Sequence, residues 1–456
     1  MVADFLSNIK ENLKDSKKAV EDIVITTIPS VFSIICGLVT SVLIARGLGP
    51  EKMGEYTLVL SISGLIPILS DLGIGQSAIR FASRALSQGN IDSQHAVLRW
   101  AFRIRIFMVF FTTAIIFLVA PFITGKIWHL DNLANPVRLS LLIGIFITIS
   151  SIPMVYYQSL KKFKMNALVS IGQTSITLIG ILIIFLLNAW SINKIIITSI
   201  ISTGIGMFIF LLIVPKTIFF NMLKLKSSSF KKLLKDFWRA PADESVRSKN
   251  FDGTNLYSFT FYITLASIIS TLIYKVDVWL MGYFLNPDQI GIYSVAMRFT
   301  LPLTFILSGV QVTIYPKASE LTCQKKTAEL LKKTFYLCSL ISLGFAVYSI
   351  FVPLMAPFMF GHEYKDCVLL AQLLCIRYCI SILICPLGVI SYNFGLVKFS
   401  PPINFIQLVI VVLMNIVALP LIGSLSAVIA LIISEVFGGL AFGLLIWKKF
   451  CKFSGE

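Results

Sequence analysis

The chain has 456 residues, of which 57% are hydrophobic and only 13% are charged, and its mean hydropathy is +0.87. Soluble domains carry about a quarter charged residues, so this composition indicates a membrane protein and excludes a soluble enzyme. The formal net charge of +17 does not indicate binding to nucleic acid, because the basic residues fall between apolar runs, where they orient membrane helices.

The N-terminal segment, residues 1–21, is polar and rich in lysine and lacks the short apolar core of a cleavable signal. The first apolar run is therefore expected to anchor the chain. Two interpretations of the segment stand side by side: a frayed tail, or a short helix lying on anionic membrane lipids. The second rests on apolar residues at helical spacing: Val2, Phe5, Leu6, Ile9 and Leu13.

Twelve apolar runs follow that are long enough to cross a bilayer, which takes about 20 helical residues. The runs, numbered here as spans one to twelve, are 22–46, 53–79, 104–123, 138–159, 166–189, 194–215, 256–284, 290–316, 334–360, 367–394, 399–420 and 424–447. If the N-terminus is cytoplasmic, most Lys and Arg residues fall in inside segments, one of which is 80–105 and ends at Arg105. Away from the span ends, only Lys275, Arg298 and Arg377 remain within the membrane. This alternation predicts twelve spans with both termini in the cytoplasm.

An internal repeat divides the chain into two lobes. Residues 48–56 read LGPEKMGEY and residues 285–293 read LNPDQIGIY, an offset of 237. Six spans separate the copies, so the lobes share one orientation and are related by an axis along the membrane normal. The predicted units are an N-terminal segment 1–21, a first lobe 22–219, a basic amphipathic linker 220–255 on the inner leaflet, a second lobe 256–450 and a C-terminus 451–456. The fold class is thus an all-α polytopic protein, a transporter whose two six-helix lobes rock about a central site.

Two sequences carry a resemblance to a known family: ARGLGPEKMGEYTLVLSISGLIPILSDLGIGQSAIRFASR at 45–84 and KVDVWLMGYFLNPDQIGIYSVAMR at 275–298. They resemble the polysaccharide transporter family of Wzx-type flippases, relatives of the multidrug and toxin extruders and the lipid II flippases. The resemblance implies a flippase, not an enzyme, that moves an undecaprenyl-pyrophosphate-linked glycan to the outer leaflet of the bacterial inner membrane for O-antigen or another surface polysaccharide. It also implies an H⁺ or Na⁺ coupling ion, a polysaccharide polymerase and a chain-length regulator as partners, and no cofactor.

Charged residues within the spans are costly in a bilayer and so are candidate site residues. Asp277 in span seven and Arg298 in span eight lie at similar depth, and they are expected either to neutralise each other or to line a substrate cavity. Lys275 points to a different face. Arg377 in span ten and Glu435 in span twelve lie near the midplane, where Glu435 either pairs with Arg377 or carries a coupling proton.

The first lobe lacks these charges. The offset of 237 places Lys275 on Leu38, and it places Asp277 and Arg298 on Thr40 and Ser61. The second lobe is therefore predicted to recognise an anionic headgroup, since Arg offers pyrophosphate a rigid fork of donors. Lys275, an addition to the second lobe only, is the better candidate to meet a phosphate.

A second candidate site is an inner gate near the cytoplasmic end of span two, formed by Asp71, Gln76 and Arg80. The two glycines of its DLGIG sequence are expected to let the helix bend there. In the alternative interpretation Asp71 only pairs with Arg80 or Arg84 at the membrane surface.

Two other functions compete with a flippase. A drug or organic-cation antiporter would favour acidic cavity groups, whereas the spans hold three central basic and two central acidic side chains. A membrane glycosyltransferase or polymerase would usually need a large external loop, and the external connections are short. No metal or disulfide spacing is found among the histidines 95, 129 and 362 or the cysteines 36, 323, 338, 367, 375, 379, 385 and 451.

Overall fold

The computed structural model describes the backbone of residues 2–87, 89–160, 163–213, 256–319, 324–393 and 399–453, and it describes side chains from residue 28 onward with some exceptions. The regular elements in these ranges are helices. The α-helices are α1 Val2–Ser63, α2 Leu65–Asp71, α3 Ile74–Ser87, α4 Ile91–Phe122, α5 Ala134–Ser159, α6 Phe163–Leu186, α7 Ile192–Ile213, α8 Leu256–Ile273, α9 Val276–Phe284, α10 Pro287–Arg298, α11 Leu301–Ser319, α12 Gln324–Phe360, α13 Cys367–Asn393, α14 Ser400–Ile422 and α15 Leu425–Phe453.

Within the described residues, ten helices are long and apolar enough to cross a membrane, and one bent pair, Pro287–Arg298 with Leu301–Gln311, makes eleven. The first of these, Ile28–Asp71, has 44 residues. At 1.5 Å per residue that is about 66 Å, twice the thickness of the hydrocarbon core. Divided at Gly49, it supplies both span one and span two, so the helices agree with the predicted twelve spans.

The division at Gly49 follows from the sequence of the repeat. Gly49 has φ of 72° and ψ of 172°, a conformation that L side chains rarely adopt. Pro50 has no N–H and a fixed φ, which suit the first turn of the next helix. In the second copy Asn286 is extended and Pro287 starts α10 in the same way.

The two copies of the repeat pack directly against each other. A Cβ atom on Gly54 would lie 1.7 Å from the carbonyl oxygen of Pro287, and a Cβ on Gly291 would lie 2.0 Å from that of Pro50. Each glycine meets the proline of the other copy, so the contact follows the two-fold relation of the sequence repeat. It joins the lobes at the ends of spans one, two, seven and eight, on the outer side in the predicted topology.

Hydrogen bonds between the lobes flank this contact. Arg46 Nε donates to the carbonyl of Met359 at 2.7 Å, and Arg46 Nη2 donates to the carbonyl of Phe358. In return the Tyr364 hydroxyl donates to the carbonyl of Ala45 at 2.9 Å. These carbonyls are available because both helices end within about one turn. The glycine contact and these hydrogen bonds together are called the outer contact below.

Within the part of the chain that the structure describes, three spans are broken near the charged residues of the second lobe and of the predicted inner gate. Span two is interrupted after Ser63 and again at Leu72 and Gly73, whose φ values of 43° and 64° are left-handed. The predicted bend at DLGIG is thereby confirmed.

Spans seven and eight are also interrupted. Span seven breaks at Tyr274 and Lys275, and span eight bends by 45° between α10 and α11. Pro302 explains the second break, because a proline ring clashes with the carbonyl four residues earlier, here that of Arg298. No glycine or proline marks the first break. Irregular backbone at membrane depth is tolerated where it is buried in protein or lines a wet cavity.

Two predicted units are only partly covered. The linker 220–255 lies outside the described residues. Helix α1 begins at Val2, but the side chains of residues 2–27 are outside the described part, so contact of this segment with lipid stays a prediction.

Candidate functional site

Five charged side chains of the second lobe form one connected group around the break in span seven. Lys275 interacts electrostatically with Asp277 and with Arg298, and Asp277 interacts in turn with Arg377. Arg377 Nη2 lies 3.1 Å from Glu435 Oε2 in an ion pair. The structure therefore brings together the five residues that the sequence singled out, and they are called the charge cluster below.

Lys275 is a member of the charge cluster that lies against the first lobe. It is half-buried, it precedes the first turn of α9, and its Nζ would lie 3.6 Å from a Cβ atom on Gly64. Gly64 lies at the first break in span two, so the ammonium group lies between the lobes. The N-terminus of α9 adds a partial positive charge at the same place. No ion pair between described residues includes Lys275.

Asp277 is 1% exposed and is held by neutral donors. Its Oδ2 accepts a hydrogen bond from the Tyr293 hydroxyl, and its Oδ1 accepts one from the backbone N–H of Val278 at 2.7 Å. The expected neutralisation of Asp277 by Arg298 is wrong, since no ion pair joins them among the described residues. Similar depth fixes the height of two side chains but not their direction: Tyr293 and Arg298, five residues apart on α10, point about 140° away from each other.

Arg298 lies in the last turn of α10, where the free carbonyls of the helix end favour a cation. Its guanidinium interacts electrostatically with Tyr56, a buried residue of the first lobe. Arg298 Nε is buried without an acceptor among the described groups. Tyr56 is the repeat counterpart of Tyr293, so each copy of the repeat places one tyrosine beside a member of the charge cluster.

Arg377 is 3% exposed and has several partners. Besides Glu435, its Nη2 donates to the Tyr274 hydroxyl at 3.1 Å. Its guanidinium carbon lies 5.0 Å from the centroid of the Tyr274 ring and 5.5 Å from that of Tyr378. The predicted pairing of Glu435 with Arg377 is confirmed, whereas a coupling role for Glu435 stays a prediction.

The candidate inner gate contains an ion pair between a half-buried carboxylate and a buried arginine. Asp71 Oδ1 lies 2.5 Å from Arg105 Nη2 and also accepts the backbone N–H of Gly75 at 3.1 Å. The partner comes from span three, where Arg105 was expected to lie in a cytoplasmic segment, and its side chain is only 7% exposed. The other side chains proposed here lie outside the described residues: Gln76, Arg80 and Arg84.

A hydrogen bond links this break to the second lobe. The Thr264 hydroxyl in α8 donates to the carbonyl of Leu72, the residue in left-handed conformation. Span seven therefore touches both breaks of span two, through Lys275 at Gly64 and through Thr264 at Leu72.

The first lobe presents hydroxyl groups where the second presents charges. Thr40 and Ser61 are buried and donate to carbonyls of their own helix, those of Cys36 and Leu58. Ser61 Oγ also accepts from Trp279 Nε1 at 3.0 Å. The predicted chemical asymmetry of the lobes thus has a structural counterpart, in which Ser61 binds the span that carries Lys275.

Sequence reasoning missed four side chains of these sites: Tyr56, Tyr274, Tyr293 and Arg105. The repeat alignment offered a signal for two of them, because Tyr56 and Tyr293 occupy the same position of the repeat. For Arg105 the sequence offered no such signal, because this residue ends a basic segment that is predicted to be cytoplasmic. Tyr274 is one of many aromatic residues in the spans.

Among the described residues, no three His, Cys, Asp or Glu side chains are grouped so as to hold a metal ion. The cysteines that the structure describes are free thiols: Cys36, Cys338, Cys367, Cys375, Cys379 and Cys385.

Two six-helix lobes around a charged interior with broken helices define a multi-pass membrane transporter of the alternating-access type. The fold is similar to that of the lipid II flippase MurJ in its inward closed conformation, with a TM-score of 0.67 and 17% identity over 93% of this chain and 87% of that one. It is also similar to a mutant of the Vibrio cholerae MATE transporter VcmN, with a TM-score of 0.60 and 14% identity over 96% and 98% of the two chains.

The family follows from the sequence. A family profile described as "Polysaccharide biosynthesis protein" matches residues 19–322, and the chain belongs to this family. A curated Shigella flexneri protein named "Putative O-antigen transporter" is 22% identical over 329 residues, which are 71% of this chain and 72% of that protein. Family and fold together indicate a transporter of polysaccharide biosynthesis rather than a catalyst.

Proposed function

We propose that this protein flips an undecaprenyl-pyrophosphate-linked oligosaccharide from the cytoplasmic to the outer leaflet of the bacterial inner membrane, for assembly of a surface polysaccharide such as O-antigen. The family, the relative named as an O-antigen transporter and the fold shared with a lipid II flippase support this proposal. The proposal has both termini in the cytoplasm, and the distribution of basic residues in the sequence supports it.

The observation that carries the proposal is the position of Lys275. A lysine within a membrane span must face a wet cavity or a partner. Lys275 lies between the lobes, beside a helix N-terminus and without an ion-pair partner among the described residues. A group with two or more negative charges, such as a pyrophosphate, is the ligand that this arrangement suits.

The carboxylates of the charge cluster argue against the antiporter alternative. Asp277 accepts hydrogen bonds from the Tyr293 hydroxyl and the Val278 N–H, and Glu435 forms an ion pair with Arg377. Neither is free to bind an organic cation without first losing a partner. Lys275 and Arg298, by contrast, have no ion pair among the described residues. The available charge is therefore positive.

Substitution of Lys275 tests the proposal in a strain that lacks the native gene. Lys275→Gln should lower surface polysaccharide by about tenfold or more, the effect of losing roughly 1.4 kcal/mol of headgroup binding. Lys275→Arg should retain most of the activity, because the positive charge remains. Lys194→Gln, at an exposed lysine beside span six, is the matched control and should behave as wild type.

Two results would overturn the proposal. One is normal surface polysaccharide in cells that carry Lys275→Gln at wild-type protein levels. The other is an increase in drug sensitivity of the gene-deletion strain that the wild-type protein reverses while surface polysaccharide does not change. The second result would favour the antiporter.

A further inference from the structure

Tyr274 is an unusual aromatic residue at the break in span seven. It is the residue immediately before Lys275 and lies outside both flanking helices. Its hydroxyl is fixed by Arg377 Nη2 at 3.1 Å, yet the residue is 45% exposed. Since the hydroxyl is held by a side chain that is itself 3% exposed, the accessible part of Tyr274 is mainly the ring.

The surroundings of the ring are polar, which argues against a lipid-facing position. Glu435 forms an ion pair with Arg377, which in turn donates a hydrogen bond to the Tyr274 hydroxyl, and 24% of the Glu435 side chain is exposed. A partly exposed carboxylate inside a span must face water rather than hydrocarbon. The chain neighbour of Tyr274 is Lys275, whose ammonium lies at Gly64 of the first lobe. The exposed face of the ring is therefore directed toward the same interior region as the charge cluster.

The same place offers hydrogen-bond donors and an acceptor. Arg377 Nε and Nη1 are buried and have no acceptor among the described groups. A buried N–H without an acceptor costs about 1–3 kcal/mol, so an oxygen from a ligand or from bound water is expected to satisfy these groups. The Glu435 carboxylate is the complementary acceptor, and the Tyr378 hydroxyl, which accepts a hydrogen bond from Thr304 at 2.8 Å, adds a neutral polar group.

An exposed aromatic ring beside an arginine, a carboxylate and a hydroxyl matches the chemistry of a pyranose. The C–H groups on one face of a sugar ring are apolar and pack on an aromatic ring, while the hydroxyl groups at its edge exchange hydrogen bonds with charged side chains. A prenyl chain would gain nothing from Arg377 or Glu435. An isolated phosphate would be repelled by the Glu435 carboxylate.

We infer that Tyr274, supported by Arg377 and Glu435, is a subsite for the first sugar, the one joined directly to the pyrophosphate. This inference rests on the proposed function, in which Lys275 meets the phosphates. Tyr274 and Lys275 are consecutive residues whose Cα atoms are about 3.8 Å apart, so their side chains start from neighbouring points of the break, that of Lys275 reaching Gly64 and that of Tyr274 reaching Arg377. The subsite lets the transporter distinguish a loaded lipid carrier from an empty one.

The test compares loaded and empty carriers. Purified protein in lipid nanodiscs is titrated with undecaprenyl pyrophosphate and with the same lipid bearing a single glucose, galactose or N-acetylglucosamine. Wild type should bind at least one sugar-bearing lipid about tenfold more tightly than the empty lipid. Tyr274→Leu should abolish this preference, because it should weaken binding of the sugar-bearing lipid about tenfold more than binding of the empty lipid. Tyr274→Phe, which keeps the ring, should retain most of the preference.

The controls separate a sugar contact from a change in structure. Tyr283→Leu removes another exposed tyrosine of span seven and should keep the wild-type preference. Should Tyr274→Leu fail to fold, Tyr274→Met offers an unbranched apolar side chain of similar length for the same comparison.

Three results have distinct meanings. Equal affinity of wild type for loaded and empty lipid overturns the subsite but not the flippase. Equal weakening of both affinities by Tyr274→Leu also overturns it, because the residue would then act on the site as a whole. If wild type binds neither kind of lipid, the proposed function fails and the subsite fails with it.

Discussion

The Tyr293 hydroxyl is what makes the burial of Asp277 tolerable. Both residues are 1% exposed, and the carboxylate has donors but no ion-pair partner among the described residues. Burying a charge without hydrogen bonds is far more costly than burying one that is fully bonded. Tyr293 and Asp277 are thus expected to behave as one unit, from which Arg298 is independent.

A pair of double-mutant cycles tests this expectation through the thermal stability of the purified protein. Tyr293→Phe should destabilise by about 1–3 kcal/mol, because one side of a buried carboxylate loses its donor. In combination with Asp277→Asn the two effects should not add. Asp277→Asn with Arg298→Gln should be additive within about 0.5 kcal/mol, as for groups without direct contact. Stronger coupling of Asp277 to Arg298 than to Tyr293 would contradict the observed geometry.

How far the sequence predicts the site can be judged from these same residues. The cost of charge in a bilayer singled out Lys275, Asp277, Arg298, Arg377 and Glu435, and the structure groups them. Partners were harder to predict, because depth along a span is readable from residue number whereas direction around the helix depends on where the helix breaks. The break before α9 leaves no composition signal, so the contact of Asp277 with Tyr293 could not be foreseen.

At the scale of elements, the break in span two is stabilised from several sides. Asp71 accepts the N–H of Gly75 on the far side of the break, and its charge is balanced by Arg105 from span three. The glycines of DLGIG made the bend predictable. The partner Arg105 was not predictable. Helix α4 begins at Ile91, well before the predicted start of span three, and so it includes the basic segment that ends at Arg105.

Removing the charge of Asp71 should therefore destabilise the protein. Asp71→Asn keeps an oxygen for the Gly75 N–H but leaves buried Arg105 without a counter-charge, a loss of about 3–5 kcal/mol. The double variant Asp71→Leu, Arg105→Met should recover much of the stability, since it removes both charges and keeps the volume. Thermal unfolding in detergent measures both effects.

An exposed ion pair of the same chain serves as the control. Glu329 and Lys333 form an i,i+4 pair at 2.7 Å in α12, both well exposed, and Glu329→Gln should leave the unfolding temperature unchanged. If Asp71→Asn is equally harmless, Arg105 has another partner and the ion pair does not hold the break. If the double variant is less stable than either single variant, the pair has a role that apolar packing cannot replace.

For the whole molecule, the outer contact is the element that must separate when the lobes rock. It is built from backbone groups and small residues, and each lobe supplies carbonyls to the other through Arg46 and Tyr364. Burial raises the pKa of Tyr364, so its hydroxyl stays protonated and donates throughout the physiological pH range. A contact of this kind closes tightly but costs little desolvation to open, which suits a step that repeats in every cycle.

Gly291→Ala should open the outer contact. The added methyl group would lie 2.0 Å from the Pro50 carbonyl, so either the backbone shifts or the lobes separate. Gly344→Ala in span nine, where a Cβ meets nothing within 4 Å, is the matched control. Spin labels at Ser191→Cys and Lys365→Cys, in a background without the native cysteines, report the distance between the outer loops of the two lobes.

The expected result is a shift of Gly291→Ala toward longer distances, with wild type and Gly344→Ala alike at the shorter one. Loss of surface polysaccharide should accompany the shift, because a transporter that cannot close its outer side no longer exposes its interior to one leaflet at a time. An unchanged distance distribution in Gly291→Ala would show that the backbone at Pro50 yields locally. In that case the close approach of the two glycines would not control the motion of the lobes, which must then depend on the hydrogen bonds of Arg46 and Tyr364. The double variant Arg46→Ala, Tyr364→Phe would then lengthen the distance between the same two spin labels.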